Sequence, residues 1–188
     1  VSLRAGTDSR GARIWEGALE LVLKPAAALT IEMEVAHTRA DRQFAWLTNA
    51  EDTTVAPSEF SVFADRTTRL WDATTRGSMV FTHNLTLQWY LQWFVAKGQF
   101  VGPQARLGVD RYAPIGLPGQ EFTDLSFNSN LVLRWEYRPG STLFLVWSHG
   151  RTGPGGPFLQ GLDRSAGDTF RLPPDNVLLL KLSYWFSS

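Results

Sequence analysis

Apolar and polar residues alternate with a period of two along most of the chain, the pattern of strands with one apolar face. Trp15, Gly17, Leu19, Leu21 and Leu23 fall on one side; Glu16, Ala18, Glu20 and Val22 fall on the other. Leu29, Ile31, Met33 and Val35 then oppose Thr30, Glu32, Glu34 and Ala36. Over residues 66–82, Trp71, Ala73, Thr75, Gly77, Met79 and Phe81 oppose Asp72, Thr74, Arg76 and Ser78. Leu85, Leu87, Trp89, Leu91, Trp93 and Val95 form the cleanest apolar face, backed by Thr86, Gln88, Tyr90, Gln92 and Phe94. Phe127, Ser129, Leu131, Leu133, Trp135 and Tyr137 repeat the pattern, and Leu143, Leu145 and Trp147 continue it. The chain closes on Leu178, Leu180, Leu182, Tyr184 and Phe186, with Val177, Leu179, Lys181, Ser183 and Trp185 opposite.

Counting a short strand over 1–7, the pattern predicts eight strands. Tight turns are expected near 25–27, 83–84 and 138–141, where Pro, Asn and Pro-Gly break the pattern. Residues 42–65, which lack regular alternation and contain Pro57, and the Pro- and Gly-rich segments 101–122 and 150–175 are expected to be long loops. Short turns alternating with long loops match the asymmetry of outer-membrane barrels. The short connection at 8–10 breaks that rule, because a long loop belongs there.

Composition narrows the choice. No apolar run approaches the ~20 residues of a membrane-crossing helix, so a membrane form of this chain must be a closed barrel. Charged residues are 19% and aromatic residues 13%, with 8 Trp; the charged share lies below the roughly 25% of average soluble domains. Basic and acidic residues balance at 18 each, so no basic field points to nucleic acid. Cysteine is absent, which excludes disulfides, thiolate metal sites and cysteine nucleophiles. The chain begins at Val1 without a visible signal peptide, which reads as a mature product or a fragment.

Alternation alone does not say which face is outside, since a soluble lipocalin-like barrel turns its apolar face inward. The distribution of charge and aromatics favours the inverted arrangement. Glu16, Glu20, Glu32, Glu34, Asp72, Arg76, Arg134, Glu136 and Lys181 all lie opposite the apolar faces and are expected to form a polar lumen network. Charges in a small barrel need partners, so salt bridges from the carboxylates to Arg76, Arg134 and Lys181 are expected. Trp15, Trp71, Trp89, Trp93, Trp135, Tyr137, Trp147 and Tyr184 lie on the apolar faces, several near strand ends, as an aromatic girdle requires. The closing strand, with Leu182, Tyr184 and Phe186 on one face, resembles the C-terminal signal read by the outer-membrane barrel assembly machinery.

Candidate chemistry is thin. Paired carboxylates such as Glu16, Glu20, Glu32 and Glu34 serve glycoside hydrolysis at suitable spacing, but a lumen network or a polar pore lining explains them as well. His37, His83 and His149 lie too far apart in sequence for a clustered zinc site. Asp8, Asp41, Asp52 and Asp65 lack a calcium-loop pattern, and Gly153-Pro-Gly-Gly156 lacks the Lys-Ser/Thr of a phosphate loop. Ser9, Ser61 and Ser148 have no nucleophile-elbow context. No enzyme activity, cofactor or metal is expected.

Three segments resemble a known family. They are Phe81-Thr-His-Asn-Leu-Thr-Leu-Gln-Trp-Tyr-Leu-Gln-Trp-Phe-Val-Ala-Lys-Gly98, the stretch 127–148 with its most specific run Leu133-Arg-Trp-Glu-Tyr-Arg-Pro-Gly-Ser-Thr142, and the closing Leu180-Lys-Leu-Ser-Tyr-Trp-Phe186. Together, over roughly residues 66–186, they resemble the bacterial domain-of-unknown-function 5916 family. Members usually carry an N-terminal family-9-type carbohydrate-binding module, absent from this sequence, followed by a large outer-membrane barrel. The resemblance implies that this chain is the C-terminal part of such a barrel, and it transfers no catalytic residue.

The expectation is therefore an all-β, antiparallel up-and-down transmembrane barrel of about eight strands, or part of a larger one, in a Gram-negative outer membrane. It would act as anchor, scaffold or pore. Its partners would be membrane lipid, the assembly machinery and other protein subunits, with no nucleic acid. Two alternatives stay open: the membrane part of a carbohydrate-binding or hydrolytic system, and a soluble lipocalin-like ligand-binding barrel.

Overall fold

The computed structural model describes residues 1–8, 10–51 and 59–186. Ser9 and Asp52, and part of the segment 42–65, lie outside the described residues. Strands dominate: β1 (Ser2–Thr7), β2 (Arg13–Ala26), β3 (Leu29–Glu51), β4 (Glu59–Thr82), β5 (Leu85–Gly108), β6 (Arg111–Pro114), β7 (Gln120–Arg138), β8 (Ser141–Pro154) and β9 (Asp175–Ser183). One helix, α1 (Leu162–Arg171), interrupts them. All pairs are antiparallel and follow the order β1-β2-β3-β4-β5-β7-β8-β9, with β6 folded back on β5.

The all-β, up-and-down pattern is as the alternation requires, including the short first strand and the tight turns at Ala27-Ala28, His83-Asn84 and Pro139-Gly140. Two expectations are corrected. Nine strands are present among the described residues rather than eight, and the sheet is not closed, because β1 and β9 each pair on one side only. The expected loops are also largely strand. Within 42–65, β3 runs on to Glu51 and β4 begins at Glu59; within 101–122, β5 runs to Gly108 and β6 follows. The segment 150–175 holds the end of β8, helix α1 and the start of β9.

Bulges account for the missed strands. The β3–β4 register shifts between Ala40 and Gln43, where Arg42 takes φ 55, and again between Trp46 and Thr48. The β4–β5 register shifts between Phe63 and Asp65. An extra residue on one strand flips the alternation while pairing continues, so the period of two is lost although the ladder is not.

Helix α1 has Asp163 in its first turn and Arg171 in its last, which complements the helix dipole. It lacks a side-chain cap at Gly161. Its stability comes from the sheet, on which it buries Ser165 and Thr169.

Candidate functional site

The register settles which residues share a face. Glu16 pairs with Thr38, Glu20 with Glu34, Glu32 with Arg76, Ala36 with Asp72, Thr86 with Arg134, Glu136 with Thr142, and Phe144 with Lys181. Directly paired residues point to the same side of a sheet. All nine predicted network residues therefore lie on one face, here the charged face.

They do not form one salt-bridge network. Among the described residues, Arg134 and Glu136 are the only two of the nine that make an ion pair, at 3.2 Å. Asp72 instead accepts from Thr74 Oγ1 at 2.9 Å and Gln92 Nε2 at 2.5 Å. Arg76 leans toward the Tyr90 ring, 5.9 Å from its centroid. The register sets Glu20 against Glu34 and Lys181 against Phe144, and where it does set Glu32 against Arg76 the guanidinium turns to the Tyr90 ring and makes no ion pair with Glu32. A small polar cleft lies among Glu20, Glu32, Glu34, Thr74 and Arg76.

At the turn end of β7, the Gly140 N–H donates to Glu136 Oε1 at 3.1 Å. That hydrogen bond first, and then the Arg134 guanidinium, hold the Glu136 carboxyl below the usual glutamate range.

The opposite, apolar face carries the predicted aromatics. Its rows read Leu19, Val35, Ala73, Trp93, Phe127, Arg151; then Leu21, Met33, Thr75, Leu91, Ser129, His149, Asn176; then Leu23, Ile31, Gly77, Trp89, Leu131, Trp147, Leu178; then Leu29, Met79, Leu87, Leu133, Leu145, Leu180. Much of this face is open: Leu178, Leu180 and Leu182 are 70%, 65% and 63% exposed. Gly77 is required here because the Trp89 ring lies across it and the Thr30 carbonyl closes the other side.

The aromatics differ in their surroundings. Trp15, Trp135, Trp147 and Tyr184 are exposed, whereas Trp71 stacks on His37 at 3.8 Å. Trp135 and Tyr137 meet edge to face. Trp89 and Trp147 share a row with Leu131 and Leu178, away from the strand ends. Trp93 lies beneath α1, its Nε1–H donating to Thr169 Oγ1 at 3.1 Å. The closing residues Leu182, Tyr184 and Phe186 are exposed on the edge strand and beyond it, with Tyr184 and Phe186 in edge contact at 4.5 Å.

Sequence reasoning missed the segment 155–172, which folds back over the apolar face as a hook. Gly155 sits where any Cβ would meet Thr123 Cγ2 at 2.6 Å and Leu125 Cγ at 2.9 Å. Arg151 donates to the carbonyls of Phe170 and Leu172 at 2.7 and 2.5 Å, holding the end of α1. Phe170 packs against Phe127 at 5.2 Å. The spacing of Leu162, Ala166 and Phe170 was the available helical signal, obscured by flanking Gly and Pro.

A basic row lies under this hook. Trp15, Arg39, Arg69, Lys97 and Thr123 are successive cross-strand partners on the apolar face. Lys97 is 3% exposed and donates to the Gln160 carbonyl at 2.6 Å. Arg69 lies over the Phe158 ring at 4.7 Å. Burial, and then the Arg69 charge, push the Lys97 pKa down, while Asp168 pulls it up. Following the alternation past Val95 would have placed Lys97 on the apolar side.

The histidines do not gather. His37 bonds the Leu70 carbonyl, His149 bonds Asn176, and His83 lies in the β4–β5 turn. Among the described residues no group of three His, Cys, Asp or Glu side chains is placed to hold a metal. Comparison with family models, curated proteins and solved structures finds no match for this chain.

Proposed function

We propose that the chain is part of an outer-membrane β-barrel that serves as a membrane anchor, scaffold or pore. The observation that carries this reading is the separation of the two faces. Four successive rows of the apolar face, from the Leu19 row to the Leu29 row, hold no charge from β2 to β7 and a single one beyond, Arg151 of β8, whose guanidinium is bonded to the hook, while the opposite face holds all nine charged residues named above. An open apolar surface of this extent is not stable against water in an isolated soluble domain. Facing lipid, it needs no cover.

The dimensions agree with this. Residues 85–95 of β5 extend roughly 33 Å along the strand, or about 25 Å along the axis of a barrel with its strands tilted near 40°, the height of an outer-membrane apolar band. Lipid cannot satisfy the free edges of β1 and β9. The two edges either pair with each other or join further strands. The resemblance to the domain-of-unknown-function 5916 family favours further strands and a wider barrel, with the carboxylate-rich face lining its interior.

The test is heat-modifiable gel migration with far-UV circular dichroism of the full chain. A β-rich species that forms only with detergent or lipid is expected. A folded monomer in plain buffer overturns the barrel reading and restores a soluble ligand-binding barrel.

A further inference from the structure

We propose that Arg39 and Arg69, at the margin of the hook that buries Lys97, bind the phosphate of a membrane-lipid headgroup at the outer rim of the apolar band. This rests on the barrel reading above, which makes the apolar face the lipid-facing one.

Three observations carry it. The row places cations directly opposite cations, Arg39 against Arg69 and Arg69 against Lys97. Like charges in directly opposed positions destabilise a sheet, and an anion bound across them reverses that sign. The acids nearby leave charge over: Asp41 engages Arg39 at 2.9 Å and Asp168 lies near Lys97, but Arg69 has no carboxylate within 4.0 Å among the described residues. Finally, Arg69 Nε and Thr123 Oγ1 are buried without a hydrogen-bond partner, and Thr123 is 6% exposed. Two orphaned donors beside two cations suit the oxygens of a phosphate, which accepts several charge-assisted bonds at once.

Position selects a lipid as the source. The row stands one row beyond His37, Trp71, Val95 and Leu125, at the end of the apolar band, whose one cation, Arg151, is taken up by the hook; headgroup phosphates lie at such an end. Leu159 and Phe170 of the adjoining hook are exposed beside it, 80% and 54%, and offer an apolar contact for the acyl chain. Basic side chains at a membrane surface favour anionic lipid by roughly fivefold each.

The experiment uses the full chain refolded in a neutral, non-ionic detergent, with equal amounts of phosphatidic acid and phosphatidylcholine, read by native mass spectrometry. Enrichment of phosphatidic acid by about tenfold is expected. Arg39→Gln/Arg69→Gln brings the two lipids near parity, and Arg39→Lys/Arg69→Lys keeps the enrichment. Arg39→Gln alone, at an exposed position, lowers it by roughly fivefold should the double variant not fold. Arg134→Gln/Lys181→Gln, on the other face, leaves it unchanged. Parity in the unaltered chain, enrichment surviving Arg39→Gln/Arg69→Gln, or equal loss in Arg134→Gln/Lys181→Gln overturns the proposal. Displacement of the lipid by an equal concentration of inorganic phosphate overturns the lipid source. Folding in detergent-free buffer strikes the barrel reading instead, so the two failures are separable.

Discussion

At residue scale, the sheet depends on a few close approaches. Gly77 lets Trp89 lie flat against the strand, and a methyl group there meets both the ring and the Thr30 carbonyl. Gly77→Ala is expected to cost about 1–3 kcal/mol, as overpacking does, measured by urea unfolding in micelles. Glu136 carries a pH signature at the turn end of β7. Its pKa is depressed in the folded chain, so its contribution is present above the ordinary glutamate pKa and lost as pH falls through the lower folded value. Carbon-13 NMR titration should find Glu136 below an ordinary glutamate. Arg134→Gln should move it up while the Gly140 hydrogen bond keeps part of the shift. An unshifted Glu136 would remove this account.

At element scale, the hook differs from the strands. Strands β2 to β5, β7 and β8 are held by ladders on both sides. The hook hangs on the two Arg151 bonds, the Trp93–Thr169 bond, the Lys97–Gln160 bond, and the Gly155 and Phe158 N–H bonds to the Thr123 carbonyl and the Glu121 carboxylate. Segments with few buried contacts open independently of the core. Arg151→Ala is expected to admit protease within 155–172 while the sheet survives, read by limited proteolysis with mass mapping. Simultaneous cleavage of hook and strands would show them to be one cooperative unit. The hook also explains why the sequence was hard to read here: a ten-residue helix with polar buried positions has little apolar periodicity, and its partners Trp93, Phe127 and Arg151 lie on three different strands.

At the scale of the whole molecule, the decisive property is the opposite character of the two faces. Adjacent residues on β7 test it. Leu131 lies in the Leu23–Leu178 row, about midway along the apolar band, and Val132 lies opposite Gln88 on the charged face. An Arg on a lipid-facing position near mid-membrane costs about 2–4 kcal/mol. Leu131→Arg is expected to lose that much in micelle or bilayer unfolding, and Val132→Arg much less. The reverse ranking would turn the sheet inside out.

Alternation by itself determined the strands, their tight turns and the sorting of nine charges from eight aromatics, because a strand's side chains must alternate whatever they pack against. It lost the strand extensions where bulges near Arg42 and Trp46 of β3, and opposite Phe63 on β5, shift the phase. The missing ion pairs, the hook over Trp93 and the row of Arg39, Arg69 and Lys97 were decided only by the tertiary structure. Each depends on cross-strand register, and register joins residues tens of positions apart whose separation no local pattern encodes.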